Sequence, residues 1–264
     1  MTDVADRARA LVGDLWDDEV AAAVVRNPRA GAAVVRLLAE PPWSVEDGLV
    51  AESLAYADLQ AGPEFTDWLT ERGAATPAPS PEPVRLERSG DELTVTLQRP
   101  ECHNAVDVAL RDALVEAFEL VAADPALAAT LQGDGPSFCS GGDLREFGTF
   151  PDPETAHAIR IERLPARALA AVANRVTARV HGHCVGAGAE LAAFCHRVVA
   201  APDTTFRLPE VAMGLVPGQG GTVSLPRRIG PERAAWLALS GTAIDAPTAL
   251  QWGLVDEIAG PATD

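Results

Sequence analysis

The chain has 264 residues and a formal net charge of −17, and all 21 of its basic residues are arginines. A field of that sign repels nucleic acid and anionic membranes, so we expect neither as a partner. Arginines and a proline interrupt the most apolar stretch, so we predict no membrane span. Acidic residues interrupt the N-terminus, which argues against a secretory signal, and the four cysteines are too dispersed for a disulfide framework. We therefore predict a cytoplasmic protein.

The first part of the chain, residues 1–73, is predicted to be helical. Ser44 is a suitable helix N-cap, with acids in the turn that follows. Apolar residues then recur at helical spacing and form a stripe that predicts a helix. The stripe consists of Val50, Leu54, Ala57 and Ala61. Gly62 and Pro63 end this helix. No cluster of residues here suggests chemistry, so we interpret this part as a packing or assembly module.

A proline-rich linker is predicted over residues 74–83, which read AATPAPSPEP. Its four alternating prolines can neither pair in a sheet nor continue a helix, so the segment is expected to be extended. The linker divides the chain into an N-terminal helical module, residues 1–73, and a second domain, residues 84–264.

The second domain alternates predicted strands and helices. Strands are expected at Val84–Arg88 and Leu93–Gln98, on either side of a turn at residues 89–92. A helix follows from about Asp107. Further elements are expected at Arg175–Val180 (strand), Ala187–Cys195 (helix) and Arg197–Ala200 (strand). Such alternation predicts an α/β fold with a largely parallel sheet.

A first candidate functional stretch, residues 138–144, reads FCSGGDL. Gly141 and Gly142 let the backbone turn sharply and approach a ligand closely. Asp143 can cap the helix that begins there, which leaves N–H groups free to stabilise an oxyanion. Taken alone, this stretch is more typical of an ordinary glycine turn than of a functional site.

Two further stretches each place a glutamate beside a glycine-rich turn. Residues 181–191 read HGHCVGAGAEL and put Glu190 in the first turn of a predicted helix, where the helix dipole alone would favour a carboxylate. Residues 206–222 put Glu210 directly after Pro209 and include a glycine-rich turn at 218–221. Because the chain has 38 acidic residues, a single glutamate carries little weight by itself.

A cluster of residues that commonly bind metals competes with this interpretation. The cluster consists of His181, His183, Cys184, Cys195 and His196. His181 and His183 would share one face of a strand that reached this far. A strand end and a buried helix end account for the same residues, and we predict no metal site.

Together these stretches resemble the enoyl-CoA hydratase/isomerase (crotonase) family. Matching residues run through 84–258 and include Arg99–Ala105, the spacing of Glu190 from Glu210, and Gly253–Asp256. The resemblance implies a crotonase-like α/β fold, whose core is a spiral of repeated ββα units, preceded here by the N-terminal helical module.

The resemblance also implies roles for individual residues. The carbonyl oxygen of an acyl-CoA thioester would lie between the backbone N–H groups of Ser140 and Ala187. Glu190 and Glu210 would form the acid–base pair, and Gly218 would help to place the attacking water. Further contacts to the acyl-CoA are expected from Arg99, Cys139, Gly141, Gly142, Asp143 and Gly186. The candidates for binding the CoA phosphates are Arg99, Arg145 and an arginine of a neighbouring subunit. No separate cofactor is expected, because coenzyme A is part of the substrate.

The leading functional hypothesis is hydration of a 2-enoyl-CoA to a 3-hydroxyacyl-CoA, or the reverse dehydration. The alternatives are another crotonase-type reaction on acyl-CoA (isomerisation, thioester hydrolysis or decarboxylation) and a non-catalytic acyl-CoA-binding or scaffold subunit. A homo-oligomer, either a trimer or a hexamer, is expected. Family members usually continue with several helices after the position of Gly253–Asp256. We expect this domain to lack them and the N-terminal helices to take over part of their covering role.

Overall fold

Five N-terminal helices precede an α/β core in the computed structural model, which describes residues 2–39, 44–76, 82–150 and 152–259. The helices are α1 (Thr2–Val12), α2 (Asp18–Arg26), α3 (Pro28–Ala39), α4 (Val45–Gln60) and α5 (Pro63–Arg72). Ser44 caps α4 as predicted, because its hydroxyl oxygen accepts the N–H of Asp47 at 3.0 Å. Gly73, at a φ of 77°, ends α5. Residues 77–81 of the predicted linker lie outside the described residues.

Helix α4 forms where the sequence predicted a helix, but it buries a different face. The predicted helix is confirmed, but Leu54 is 53% exposed and Ala61 is also exposed, so the apolar stripe is not its buried face. The buried residues are Gly48, Leu49, Glu52, Ser53, Tyr56 and Leu59. Apolar residues occur around most of this helix, and their spacing alone does not distinguish its faces. The buried face is the one whose polar side chains find hydrogen-bond partners in the core.

The main sheet is largely parallel. Its strands are β1 (Val84–Ser89), β2 (Glu92–Leu97), β3 (Ala128–Gly133), β4 (Val176–Val180), β6 (Arg197–Ala200) and β9 (Glu257–Ile258). Within the described residues they lie in the order β1-β2-β3-β4-β6-β9. β1 and β2 form the predicted antiparallel hairpin, with Val84 opposite Leu97, and all other neighbours are parallel. The prediction of a largely parallel sheet is confirmed.

A smaller sheet and seven helices complete the described part of the core. The sheet consists of β5 (His183–Val185), β7 (Thr205–Arg207) and β8 (Ile244–Asp245), in the order β5-β7-β8. The helices are α6 (Val108–Ala123), α7 (Pro153–Glu162), α8 (Pro165–Val172), α9 (Ala187–Phe194), α10 (Gly221–Ile229), α11 (Pro231–Ser240) and α12 (Ala246–Trp252). Short 3₁₀ helices lie at Gly13–Leu15, Pro100–Cys102, Leu144–Glu146, Ala173–Arg175 and Glu210–Met213. None of the described helices combines the length and the apolar character that crossing a membrane requires.

The N-terminal helices share a hydrophobic core with the α/β domain. Helices α1, α2 and α3 pack against α11, and α4 packs against α7 and α10. Polar contacts cross the same boundary. The side-chain amide of Asn27 donates to the carbonyl oxygen of Val211 at 2.7 Å, and the indole N–H of Trp236 donates to the carboxylate of Asp17 at 2.8 Å. The N-terminal helices therefore lie directly against the segment that carries Glu210.

Candidate active site

A cavity of about 130 Å³ is lined by residues of α4, α6, α7 and the turn that precedes α10. Six of the predicted site residues line it: Gly142, Asp143, Ala187, Glu190, Glu210 and Gly218. The other five, Arg99, Cys139, Ser140, Gly141 and Gly186, are not among its lining residues. The cavity therefore brings together two glutamates and three glycine-containing turns that lie far apart in the sequence.

Glu190 reaches the cavity from the start of α9. The backbone turns from β5 into α9 at Gly186, whose φ is 49°. A Cβ atom at Gly186 would lie 2.5 Å from a carboxyl oxygen of Glu210, so this close approach requires glycine. Oε2 of Glu190 accepts the N–H groups of Gln219 at 2.7 Å and of Gly221 at 2.8 Å. Glu190 is thereby fixed against the turn before α10.

Glu210 enters the cavity from the 3₁₀ helix Glu210–Met213. The residue is buried, and its Oε2 atom has no hydrogen-bond partner among the described residues. Burial, with the nearby charge of Glu52 as a smaller contribution, raises the pKa of Glu210 to about 8. A buried carboxyl oxygen without a partner is costly. This atom is therefore available to a reactant that enters the cavity.

A third buried carboxylate, that of Glu52, comes from the N-terminal helix α4. Its oxygens accept the N–H of Gly220 at 2.6 Å, the N–H of Thr222 at 2.8 Å and the hydroxyl of Thr222 at 2.7 Å. Successive amides of residues 219–222 thus alternate between two carboxylates, because 219 and 221 donate to Glu190 while 220 and 222 donate to Glu52. Two distant parts of the chain therefore hold this turn.

The three buried carboxyl groups disfavour one another's ionisation. The pKa of Glu190 lies well above its ordinary value, first because of burial and then because of the negative charges of Glu210 and Glu52. Burial raises the pKa of Glu52 to about 7, although hydrogen bonds from the turn act in the opposite direction. Near neutral pH the site therefore keeps protons that exposed glutamates have lost. Such a site can both donate and accept a proton.

We expect the free energy of unfolding to fall as pH rises from 4.5 to about 8. In this range folded Glu210 keeps its proton while the unfolded chain has released it, so the folded state binds more protons and rising pH favours unfolding. Glu210→Gln cannot ionise and should flatten this dependence, whereas Glu119→Gln, at an exposed position of α6, should not. Urea unfolding at a series of pH values measures the effect. The same pH dependence in wild type and Glu210→Gln would contradict it.

The backbone N–H groups of Ser140 and Gly142 differ in whether they are already hydrogen-bonded within the described residues. The N–H of Ser140 donates to the carbonyl oxygen of His103 at 3.0 Å and is not available to a ligand, so the prediction for Ser140 is wrong. Gly142 lines the cavity, and its N–H has no hydrogen-bond partner among the described residues. Ala187 also lines the cavity and is the first residue of α9, where N–H groups lack intrahelical partners. Gly142 and Ala187 thus offer a pair of donors.

The two arginines predicted to bind CoA phosphates are paired with carboxylates of the protein itself. Arg99 is 1% exposed, and its guanidinium lies 3.0 Å from the carboxylate of Asp107 and 3.1 Å from that of Asp143. A buried and paired arginine cannot reach a phosphate, so the assignment of Arg99 to the acyl-CoA is wrong. Arg145 donates to Asp143 from Nε at 2.8 Å and from Nη2 at 2.5 Å. Asp143 caps the 3₁₀ helix Leu144–Glu146, where the sequence predicted a helix start.

Cys139, Gly141 and Gly186 support the backbone around the cavity without lining it. The N–H of Cys139 donates to the carbonyl of His183 at 3.0 Å, and its carbonyl accepts the N–H of Val185 at 2.9 Å. Gly141 has a φ of 101°, which favours glycine. These three residues were predicted to contact the acyl-CoA, and the structure instead gives them a role in shaping the turns.

The histidines near β5 bind separate partners. Nε2 of His181 lies 2.9 Å from the carbonyl oxygen of Gly135. Nδ1 of His183 lies 3.3 Å from the hydroxyl of Thr205. Across the described ranges, no group of three or more histidine, cysteine, aspartate and glutamate residues is placed to hold a metal ion.

Helix α4 supplies cavity residues that sequence reasoning assigned to packing. Tyr56 and Gln60 line the cavity, and the ring of Tyr56 lies against Gly218, where a Cβ atom would be 2.5 Å from a ring carbon. Buried Ser53, on the preceding turn, has its hydroxyl 2.8 Å from Nδ1 of His157. Polar or aromatic residues at 52, 53, 56 and 60 share one helical face. This pattern is visible in the sequence, but its role cannot be inferred without knowing which residues elsewhere in the chain contact it.

The core of this chain matches one known protein family. The family model for enoyl-CoA hydratase/isomerase matches residues 89–263. The chain is 38% identical over 174 residues to the 2,3-dehydroadipyl-CoA hydratase of Escherichia coli strain K12, and the aligned region covers 66% of this chain and 68% of that protein. It is 37% identical over 172 residues to the mevalonyl-coenzyme A hydratase of Aspergillus fumigatus, and the aligned region covers 63% of this chain and 62% of that protein.

Solved structures share the fold as well. The enoyl-CoA hydratase of Thermoplasma volcanium matches with a TM-score of 0.62 and 32% identity, over 67% of this chain and 71% of that one. The enoyl-CoA hydratase of Mycobacterium smegmatis matches with a TM-score of 0.63 and 32% identity, over 68% of this chain and 71% of that one. The crotonase-like α/β fold implied by the resemblance is confirmed, and the chain belongs to the enoyl-CoA hydratase/isomerase family.

Proposed function

We propose that this protein adds water across the double bond of a 2-enoyl-CoA, or removes water in the reverse direction. One observation carries the proposal: Glu190 and Glu210 line the same cavity as Gly142 and Ala187, whose N–H groups are open to a ligand. Hydration of a conjugated thioester needs proton transfer at the carbon atoms and hydrogen-bond donors at the carbonyl oxygen. The cavity offers both.

In the proposed reaction, the thioester carbonyl oxygen accepts hydrogen bonds from the N–H groups of Gly142 and Ala187. Water gives a proton to one carboxylate while its oxygen bonds to C3, and the electrons of the double bond move to the carbonyl oxygen to form an enolate. The enolate then takes a proton at C2 from the other carboxyl group. The pair of glutamates ends with the number of protons it started with. Each N–H donor contributes about 3–4 kcal/mol to stabilising such an oxyanion.

The geometry of the turn before α10 suits the placement of the attacking water. Gln219 and Gly221 fix one oxygen of Glu190, and Gly218 lines the cavity immediately before them. Oε2 of Glu210 has no partner among the described residues and is free to bind the same water. We place the water between these two carboxyl groups, next to Gly218.

The activities in the names of the relatives also support hydration. The Escherichia coli and Aspergillus fumigatus relatives are both named hydratases of a CoA thioester, and the Thermoplasma volcanium structure is that of an enoyl-CoA hydratase. Hydration is therefore preferred over isomerisation, thioester hydrolysis, decarboxylation and a non-catalytic role.

A panel of 2-enoyl-CoA thioesters tests the proposal. We expect the conjugated enoyl absorbance to disappear and the product mass to rise by one water. Isomerisation would leave the mass unchanged, hydrolysis would release free CoA, and decarboxylation would release carbon dioxide. Acyl-CoA binding without turnover of any thioester in the panel would indicate a binding subunit and would contradict the proposal.

We also propose that the protein works as a homo-oligomer, a trimer or hexamer, in a reducing cytoplasm. The family resemblance supports the oligomer. The compartment is supported by the cysteines, which are all free thiols. Three of them, Cys139, Cys184 and Cys195, are buried in the core.

A further inference from the structure

The cavity is lined by three arginines, and one of them differs from the other two in its partners. Arg111 and Arg163 each form an ion pair with Asp112, at 2.8 Å and 3.2 Å. Arg160, on α7, has no carboxylate within ion-pair distance in the described part of the chain, and its hydrogen bonds go to neutral groups. Its charge is therefore not neutralised by direct contact.

Neutral side chains of α4 hold the guanidinium of Arg160 in place. Its Nη1 donates to the hydroxyl of Ser53 at 3.3 Å, and its Nη2 donates to the side-chain oxygen of Gln60 at 3.2 Å. The guanidinium carbon lies 4.2 Å from the centre of the Tyr56 ring. A guanidinium has five N–H bonds, and these two hydrogen bonds leave others available to a ligand.

The nearest acidic group does not take up this charge directly. Glu52 interacts electrostatically with Arg160, but its carboxylate is already occupied by three donors from Gly220 and Thr222. Burial lowers the pKa of Arg160, yet an arginine stays protonated at neutral pH. A cation that is half-buried in a cavity wall without an ion partner is costly, and an anionic ligand group would offset that cost.

Arg160 also lies close to the proposed reaction centre. The ring of Tyr56 contacts Arg160 through its face and Gly218 at its edge, and Gly218 adjoins the amides that bind Glu190. One aromatic ring therefore separates Arg160 from the turn. Ala187 and Arg160 line the same cavity, so a short acyl chain that extends into the cavity from a thioester bound beside Ala187 stays next to the wall that carries Arg160. The phosphates of CoA lie at the opposite end of the pantetheine arm.

We propose that Arg160 determines substrate specificity by binding a carboxylate at the far end of a short acyl chain. The substrate class is then the short 2-enoyl-CoA thioesters that end in a carboxylate. This inference rests on the proposed hydration, and it names the part of the substrate that the catalytic groups do not contact.

A matched substrate series tests the proposal on the full-length protein. Each short straight-chain 2-enoyl-CoA is used in two forms, one ending in a methyl group and one of equal carbon number ending in a carboxylate. Wild type should prefer the carboxylate form in kcat/KM. In Arg160→Met this preference should fall by about 10- to 100-fold, the effect of losing a hydrogen bond to a charged group. Arg160→Lys should retain part of it, and Arg179→Gln, at an exposed position, should retain all of it.

The ratio of the two substrates within one variant cancels any general loss of activity or folded protein. A wild-type preference for the methyl form, or an unchanged ratio in Arg160→Met, would overturn the proposal. Calorimetric binding of the corresponding saturated acyl-CoAs gives a readout without turnover. Arg160→Met should weaken only the carboxylate ligand, and equal weakening of both would assign Arg160 to the CoA portion and refute the proposal. If no thioester is hydrated, the proposed function fails, and the binding comparison still decides the role of Arg160.

Discussion

Replacing Glu190 by glutamine is expected to lower kcat by about 10²–10⁴-fold, the usual contribution of a positioned acid or base. A glutamine at this position can still accept the N–H groups of Gln219 and Gly221 through its amide oxygen, so the turn before α10 should keep its structure. What it cannot do is exchange a proton with water or the α-carbon. The loss should therefore appear in kcat rather than in substrate affinity.

Steady-state kinetics on a hydrated 2-enoyl-CoA measures this loss, and circular dichroism with thermal unfolding shows that the fold is kept. Glu210→Gln should behave in the same way, and the double variant should cost much less than the product of the two single losses, because the two carboxyl groups act as a unit. Glu119→Gln, an exposed glutamate of α6, is the matched control and should retain wild-type turnover. Near-normal kcat in Glu190→Gln would remove Glu190 from the chemistry.

The elements of the core were predictable because each carries a local signal. The hairpin of β1 and β2 is marked by its turn, α6 by the cap at Asp107, and α9 by the small residues before Glu190. These signals depend on a few neighbouring residues and the preferences of the backbone. The meeting of Glu190 and Glu210 was predictable only by resemblance, since no periodicity relates residues on different elements.

Two errors at the site have a common physical origin. A glycine-rich turn predicts that some backbone N–H groups will be free. Which of them are free depends on hydrogen bonds to backbone that is distant in the sequence. The N–H of Ser140 donates to the carbonyl of His103, whereas Gly142 lines the cavity and its N–H has no partner among the described residues. Likewise, Arg99 was expected to bind the CoA phosphates, but the carboxylates of Asp107 and Asp143 make its burial possible. Tertiary partners decide both cases.

In the N-terminal module, too, the sequence alone does not reveal the tertiary partners of a residue. The apolar residues at helical spacing on α4 include exposed Leu54, while the buried face carries Glu52 and Ser53. A buried glutamate is disfavoured on any local scale, and only the three donors at Gly220 and Thr222 make its burial favourable. A polar residue on the buried side of a helix is thus a signal of function as well as of folding.

The removal of Glu52 is expected to impair catalysis although it lies outside the matched family region. In Glu52→Ala the N–H groups of Gly220 and Thr222 and the hydroxyl of Thr222 lose their acceptor inside the protein. Each buried donor without a partner costs about 1–3 kcal/mol, so the turn should shift and the protein should lose stability. A small displacement of a turn that orients Glu190 can cost on the order of 10² in kcat.

Glu52→Gln removes the charge of this side chain and keeps most of its contacts. The amide oxygen can still accept the N–H and the hydroxyl of Thr222, although the amide NH2 group cannot accept the N–H of Gly220. The negative charge that raises the pKa of Glu190 and Glu210 is gone. Both glutamates should then ionise at lower pH, and the pH dependence of kcat/KM should move toward acid. Asp58→Asn, on the same helix with a side chain 74% exposed, is the control and should leave kcat and the pH profile unchanged. Full activity in Glu52→Ala, or an unshifted pH profile in Glu52→Gln, would show that α4 only covers the site. The expected shift would show that the N-terminal module sets the protonation of the catalytic pair.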